Sequence, residues 1–220
     1  MLTRRGILKR SFWAILFGFF TPLGTAWEWI SKSWAQERRR FPKGFPKSKL
    51  ADMNPAEIDN RDFDIDPLDQ FGTMGPTDLT VDLAAFRLKV TGEVNRPLSL
   101  SYGEILKLPS VTEDVLLICP GYFSNHGRWT GVHLRDLVAA ALPREGAAFL
   151  DIIGYEMKRR IPLDNITSKK ILLAYRVNGE PLPKKHGFPL RLVYGDAYGS
   201  EWIKYVEEIV VAPWPKPDSQ

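Results

Sequence analysis

Hydrophobic and polar positions alternate through Phe86-Arg87-Leu88-Lys89-Val90 and again through Leu98-Ser99-Leu100, the two-residue period of half-buried strands. Val115-Leu116-Leu117-Ile118 is a continuous apolar run of strand type, and it stops at Cys119-Pro120-Gly121, where proline and glycine end a ladder. Further strands are predicted over 149–154, 170–177, 190–194 and 205–211, with Asn178-Gly179 as a tight turn. Tyr102 to Leu108 reads as a short helix capped by Ser101 and closed by Pro109. Leu134 to Leu142 reads as a second, ended by Pro143, and each has one apolar face. The pattern predicts a strand-rich α+β fold that begins near residue 80.

The N-terminus follows a different pattern. Thr3-Arg4-Arg5-Gly6-Ile7-Leu8-Lys9 resembles the twin-arginine export motif, and an apolar run from Phe12 to about Ala26 follows it. Small-residue cleavage sites stand at Gly24-Thr25-Ala26 and Ser33-Trp34-Ala35. A membrane anchor is the competing reading, because Phe12 to Ile30 approaches the roughly 20 residues that a bilayer needs. Residues 1–35 are thus expected to be a signal peptide or anchor, with the twin-arginine export machinery as a partner. The location is periplasmic or exported, with membrane attachment if the segment is retained. Residues 36–57, basic and broken by proline up to residue 50, are expected to be a linker, and 58–215 the folded domain.

The chain has 220 residues, 44% of them hydrophobic and 25% charged, which excludes collagen-like, disordered and disulfide-stapled classes. Its net charge of +4 belongs to the N-terminal segments, since residues 51–220 carry 19 Lys and Arg against 24 acids. Nucleic acid is therefore excluded as a partner. Asp62, Asp64, Asp66 and Asp69 suggest a calcium loop, but Pro67 stands where that loop needs glycine and Thr73 where it needs glutamate. No phosphate loop, dinucleotide fingerprint or pair of Cys-x-x-Cys motifs occurs.

Cys119 is the single cysteine, so it cannot form an internal disulfide in an oxidising compartment. It stands at the lip of a predicted strand, and Ser124-Asn125-His126-Gly127-Arg128-Trp129 after it is dense in polar donors and reads as a loop. A soft thiolate presented there suits a transition metal, with Asn125 and Arg128 as catalytic candidates beside it. Two other readings stay open: a zinc or copper site built from Cys119 with His126, His133 and His186, and an exported non-catalytic binding protein in which Cys119 is buried filler.

Six ordered blocks carry a resemblance. They are Cys119-Pro120-Gly121, Trp129-Thr130-Gly131-Val132, Ile161-Pro162-Leu163, Leu173-Ala174-Tyr175 with Asn178-Gly179-Glu180-Pro181-Leu182-Pro183, His186-Gly187-Phe188-Pro189-Leu190-Arg191-Leu192-Val193, and Tyr198-Gly199 with Trp202-Ile203-Lys204. Together they resemble the sulfite oxidase fold family of molybdopterin-dependent oxidoreductases, in particular exported bacterial members related to the catalytic subunit of periplasmic methionine-sulfoxide reductase. The resemblance runs from about residue 58 to 213 and implies a strand-rich domain with mixed sheets. It implies one molybdenum held by Cys119 and a single molybdopterin. His186, Arg191, Lys204 and the backbone of Trp202 and Ile203 fall where the family contacts the pterin and its phosphate. Asn60, Phe63 and Asp64 match an element of the N-terminal arm. The reaction implied is oxygen-atom transfer to or from a small substrate such as an S-oxide or sulfite. Electrons would pass to or from a separate protein, a cytochrome or membrane haem protein. This chain departs from the family at Tyr194-Gly195-Asp196, at Trp202, and at Lys158-Arg159-Arg160, whose arginines with Arg128 are candidates to hold an anionic substrate.

Overall fold

The computed structural model describes residues 38–168 and 170–215; the twin-arginine segment and the expected cleavage sites lie outside them. A first sheet contains β3 (Leu88–Gly92), β4 (Leu98–Leu100), β7 (Ala147–Gly154), β8 (Met157–Pro162) and β12 (Val206–Pro213), in the order β4-β3-β12-β7-β8. It is mixed, because β12 runs parallel to β3 and antiparallel to β7. A second, antiparallel sheet contains β5 (Val111–Cys119), β6 (Phe123–His133), β9 (Ile171–Val177), β10 (Glu180–Pro181) and β11 (Arg191–Tyr194). There β6 lies between β5 and β9, and both β10 and β11 pair with the far edge of β9. The strand-rich α+β class expected from the pattern is the class observed.

Local chemistry explains the helices. The α1 helix (Tyr102–Ile105) starts at a capping box, in which Ser101 Oγ accepts from Glu104 N at 3.3 Å and Glu104 Oε2 accepts from Ser101 N at 2.8 Å. In α2 (Leu134–Ala140) the buried positions Leu134, Leu137 and Val138, continued by Ala141, recur every three or four residues and enter the main core. A third helix, α3 (Leu163–Ser168), and strand β8 have no counterpart in the pattern reading.

The largest correction concerns β6. The stretch read as a polar loop after Cys119 is the central strand of the second sheet, with Asn125, His126 and Trp129 buried. Strand β5 pairs with its whole length and β9 with Trp129–His133. Asp66 and Asn178 take up backbone groups of His126 and Arg128, and the Asn125 and His126 side chains find partners in the segments that cover them. At Gly131 the β6–β9 register shifts, and a Cβ there would lie 2.1 Å from the Leu173 carbonyl oxygen, so only glycine permits this approach.

A second correction concerns residues 38–57. They are a packed arm rather than a free linker, and the compact unit starts at Arg38. Strand β1 (Arg39–Arg40) pairs in parallel with β2 (Ile58–Asp59), and Leu50, Ile58 and Phe63 close over Leu116 and Ile118. The aspartate row that fails as a calcium loop is the counter-charge of this arm. Asp62 pairs with Arg40, Asp64 with Lys43 and Asp66 with Lys47. Arg38 reaches Asp196 at 2.9 Å. Among the described residues no helix is long and apolar enough to cross a membrane.

Candidate functional site

Strand alternation sorts the candidates. The β5–β6 register sets Cys119 opposite Phe123, Leu117 opposite Asn125 and Asp114 opposite Arg128. Successive residues point to opposite faces, so Cys119, Asn125, Gly127 and Trp129 share one face while His126 and Arg128 share the other.

The second face belongs to the arm. His126 is buried, with Nδ1 3.1 Å from the Phe63 carbonyl and Nε2 3.3 Å from Asn60 Nδ2. Asn60 also donates to the Asp114 carbonyl at 2.9 Å. An amide donor on Nε2 and a carbonyl on Nδ1 define a neutral imidazole protonated at Nδ1, and burial lowers its pKa to match. His126 N donates to Asp66 Oδ2 at 2.8 Å, and Phe63 packs edge-on against the His126 ring. The Asp64 carbonyl accepts from Lys47 Nζ at 2.6 Å. Arg128 makes a two-pronged pair with Asp114, at 2.8 and 3.0 Å, five residues along the ladder from Cys119 or about 17 Å at strand rise. The structure thus does not bring Arg128 to the cysteine. The other basic candidates are also engaged: Lys158 and Arg160 both pair with the buried carboxylate of Asp151, and Arg159 pairs with Glu201.

The first face is different. Asn125 pins the segment over it, with Oδ1 accepting from Gly72 N at 2.9 Å. Phe71 from that segment lies with its ring centroid 6.1 Å from Trp129 and 5.9 Å from His186. Beyond Trp129 stands Arg191, only 5% exposed, its guanidinium carbon 5.6 Å from the ring centroids of both Trp129 and Trp202. Arg191 Nη1 donates to the His186 carbonyl at 3.0 Å, and no carboxylate of the described residues pairs with it. Burial depresses its pKa to about 10. Lys204, depressed to about 8 by burial and by Arg191, donates to Thr73 Oγ1, Pro76 O and Lys185 O. His186 is pushed down to about 3 by burial and then by the charges of Arg191, Lys185 and Lys204, so its ring is neutral near pH 7. Ile203 contributes its carbonyl to Leu192 N at 2.8 Å, and the Trp202 indole N–H donates to Tyr194 O and Ala197 O.

Four polar atoms in this group have no partner among the described residues: both His186 ring nitrogens, Arg191 Nε and the indole nitrogen of Trp129. Buried polar groups are normally paired, so unpaired donors beside an uncompensated cation mark a place for an anionic, oxygen-rich ligand. Trp129, within one of the ordered blocks, and Phe71 had no assigned role in the sequence; their burial and, for Trp129, the orphaned N–H point to one in the fold.

Cys119 is half-buried and carries a free thiol whose pKa burial raises. Among the described residues no three His, Cys, Asp or Glu side chains gather to hold a metal ion, which overturns the zinc or copper reading. His126 faces away from Cys119, and His133 ends β6 at its far end. A lone soft thiol suits a metal that brings its other sulfur ligands with it. The donor set therefore fits a molybdenum–molybdopterin group, with Cys119 for the metal and the Arg191–His186 pocket for the anionic end. The structure gathers His186, Arg191, Trp202 and Lys204, and it places Asn60, Phe63 and Asp64 with the arm on the other face.

Comparison with known proteins agrees. Residues 74–219 match the model of the oxidoreductase molybdopterin binding domain. An uncharacterized oxidoreductase, YuiH of Bacillus subtilis, is 30% identical over 131 residues, 57% of this chain and 66% of that protein. The protein-methionine-sulfoxide reductase catalytic subunit MsrP of Xanthomonas campestris pv. campestris is 31% identical over 147 residues, 59% of this chain and 46% of that protein. The NADH nitrate reductase of Volvox carteri is 29% identical over 164 residues, 58% of this chain but 19% of that protein. The chain thus spans less than two thirds of these relatives' lengths. In fold it resembles the sulfane dehydrogenase SoxCD of Paracoccus pantotrophus, with a TM-score of 0.57 at 19% identity, covering 93% of this chain and 55% of that one. The chain belongs to the oxidoreductase molybdopterin binding domain family, and its cofactor is molybdenum with molybdopterin.

Proposed function

We propose that the chain is the catalytic part of an exported oxidoreductase that moves an oxygen atom to or from a small substrate such as an S-oxide or sulfite. Its electrons are exchanged with a separate cytochrome or membrane haem protein. The observation that carries this reading is the combination of the chain's single cysteine, on one face of β5–β6, with a buried arginine that packs on Trp129 of the same face and has no carboxylate partner among the described residues. The bound cofactor supplies two-electron oxygen-atom chemistry, and the protein fixes its orientation and access. Cys119, as its thiolate, would hold the metal. Arg191 neutralises the anionic end without competition from a carboxylate. His186, neutral at working pH, offers one donor and one acceptor. Asn125 holds the segment around Gly72 that covers this face and limits the entry of water.

The full-length protein is expected to contain about one molybdenum and one pterin. A screen with sulfite, methionine sulfoxide and simple S-oxides and N-oxides, using dye donors and acceptors, assigns substrate and direction. Cys119→Ser is expected to abolish turnover, and a fully active variant would overturn the assignment. For export, Arg4→Lys with Arg5→Lys is expected to retain the protein in the cytoplasm; normal delivery would identify a different kind of signal.

A further inference from the structure

Trp129 and Trp202 pack against the Arg191 guanidinium at the same distance, 5.6 Å, yet their indole nitrogens differ. That of Trp202 donates to Tyr194 O at 2.8 Å and Ala197 O at 3.2 Å. That of Trp129, a residue with 0% exposure, donates to nothing among the described residues. A buried tryptophan usually satisfies its N–H, so packing alone does not account for the open donor of Trp129.

The surroundings of this N–H cover it without offering an acceptor. An added Cβ at Gly127 would lie 3.0 Å from Trp129 Nε1 and 2.8 Å from Phe71 Cζ, so any other residue at 127 crowds the donor. The atoms next to it are the ring of Phe71, which accepts no conventional hydrogen bond, and the uncompensated Arg191. Arg191 Nε and the one N–H of the neutral His186 ring, also orphaned, are two further donors without an acceptor, while the second His186 nitrogen is itself an open acceptor.

We propose that Trp129 is a further binding residue for the anionic end of the cofactor. Its indole N–H would donate to a ligand oxygen together with Arg191 Nε. This inference rests on the reading of the His186–Arg191 pocket given above.

The test uses the full-length chain prepared without cofactor and titrated with inorganic phosphate, read by thermal midpoint and intrinsic fluorescence. Molybdenum and pterin content of the loaded protein is the second readout. Wild type is expected to gain midpoint with phosphate. Trp129→Phe, which keeps an aromatic side chain, removes the donor and trims the buried indole, is expected to weaken phosphate about three- to tenfold and to lower molybdenum content, beyond the packing loss that Trp202→Phe also suffers. Gly127→Ala crowds the same N–H with the tryptophan in place and is expected to act in the same direction. Trp202→Phe, whose N–H already has acceptors, is expected to lower the midpoint with a smaller loss of phosphate affinity. If Trp129→Phe and Gly127→Ala keep wild-type phosphate affinity and metal content while Arg191→Gln loses both, Trp129 is a packing residue and the inference fails. If Arg191→Gln also keeps both, the pocket reading itself fails and the inference with it.

Discussion

On the face of β6 that carries His126 and Arg128, Arg40, Lys43, Lys47, Arg61 and Arg128 all have carboxylate partners, whereas on the face that carries Asn125 and Trp129 the buried Arg191 has two indole rings and, among the described residues, no acid. The first arrangement is what an arm needs to stay down: several individually weak exposed pairs around a buried histidine whose hydrogen bonds are complete. The second is poor for stability, since a buried cation without a counter-charge costs free energy in the empty protein. It becomes favourable when an anion binds the native state and not the unfolded chain. Paired charge holds structure here, and unpaired buried charge marks the ligand.

The strongest way to break this comparison is Arg191→Gln. Loss of a charge-assisted partner is expected to cost about 1.5 to 3 kcal/mol of cofactor binding, at least a tenfold fall in affinity, seen as low molybdenum content. The cofactor-free variant is expected to unfold at no lower denaturant concentration than wild type, because it no longer buries an uncompensated charge. A sharply destabilised empty variant would mean that the two tryptophans compensate the charge fully.

Asp66→Ala probes the other face. It removes the acceptor of the buried His126 N–H and the partner of Lys47, and about 2 kcal/mol of stability is expected to go with them in a urea titration, with molybdenum content unchanged.

Acid separates the faces by window. His186 titrates near 6.5 when unfolded and about 3 in the fold, so the unfolded chain binds the extra proton as pH falls between those values. The stability its neutral burial retains is complete above pH 6.5 and is lost progressively toward pH 3. From pH 6.5 to 4.5 the loss is expected to approach about 2 kcal/mol in urea titrations. The depressed carboxylates of the arm face, Asp59 at about 2 with Asp62 and Asp114, contribute stability that is present above their ordinary value near 4 and lost only as pH falls through their folded values. His126 shifts in the same direction as His186, so His186→Asn isolates the pocket; it is expected to flatten the slope between pH 6.5 and 4.5, and an unchanged slope would assign the effect to His126.

The smallest effect is expected from Arg128→Ala. Its pair with Asp114 is half exposed, so stability is expected to change by less than about 1 kcal/mol and metal content not at all. A variant that loses substrate affinity would place Arg128 back in the site.

Much of this molecule was legible without coordinates. Alternation and apolar runs located β3, β4, β5, β7, β9, β11 and β12, because each buries one or both faces and strand burial imposes its period on the side chains. Ser101 and the proline stops marked the helices for equally local reasons. The ordered blocks from Cys119 to Lys204 pointed to the cofactor class, since a soft thiol at a strand end and an arginine next to a histidine-glycine turn are chemical choices visible in residue types. Two things escaped. The polar composition of Ser124 to Trp129 reads as loop, yet it lies in a central strand, because the arm and the segment around Gly72 supply partners to Asn125 and His126 from about 50 to 60 positions away. The basic arm and the aspartate row read as separate oddities until the fold paired them. What the residues determined by themselves is the set of elements and the chemistry on offer. Which donor is spent and which is left open, as with the indoles of Trp202 and Trp129, was decided only by tertiary structure, because a hydrogen bond exists only when distant parts of the chain meet within about 3 Å.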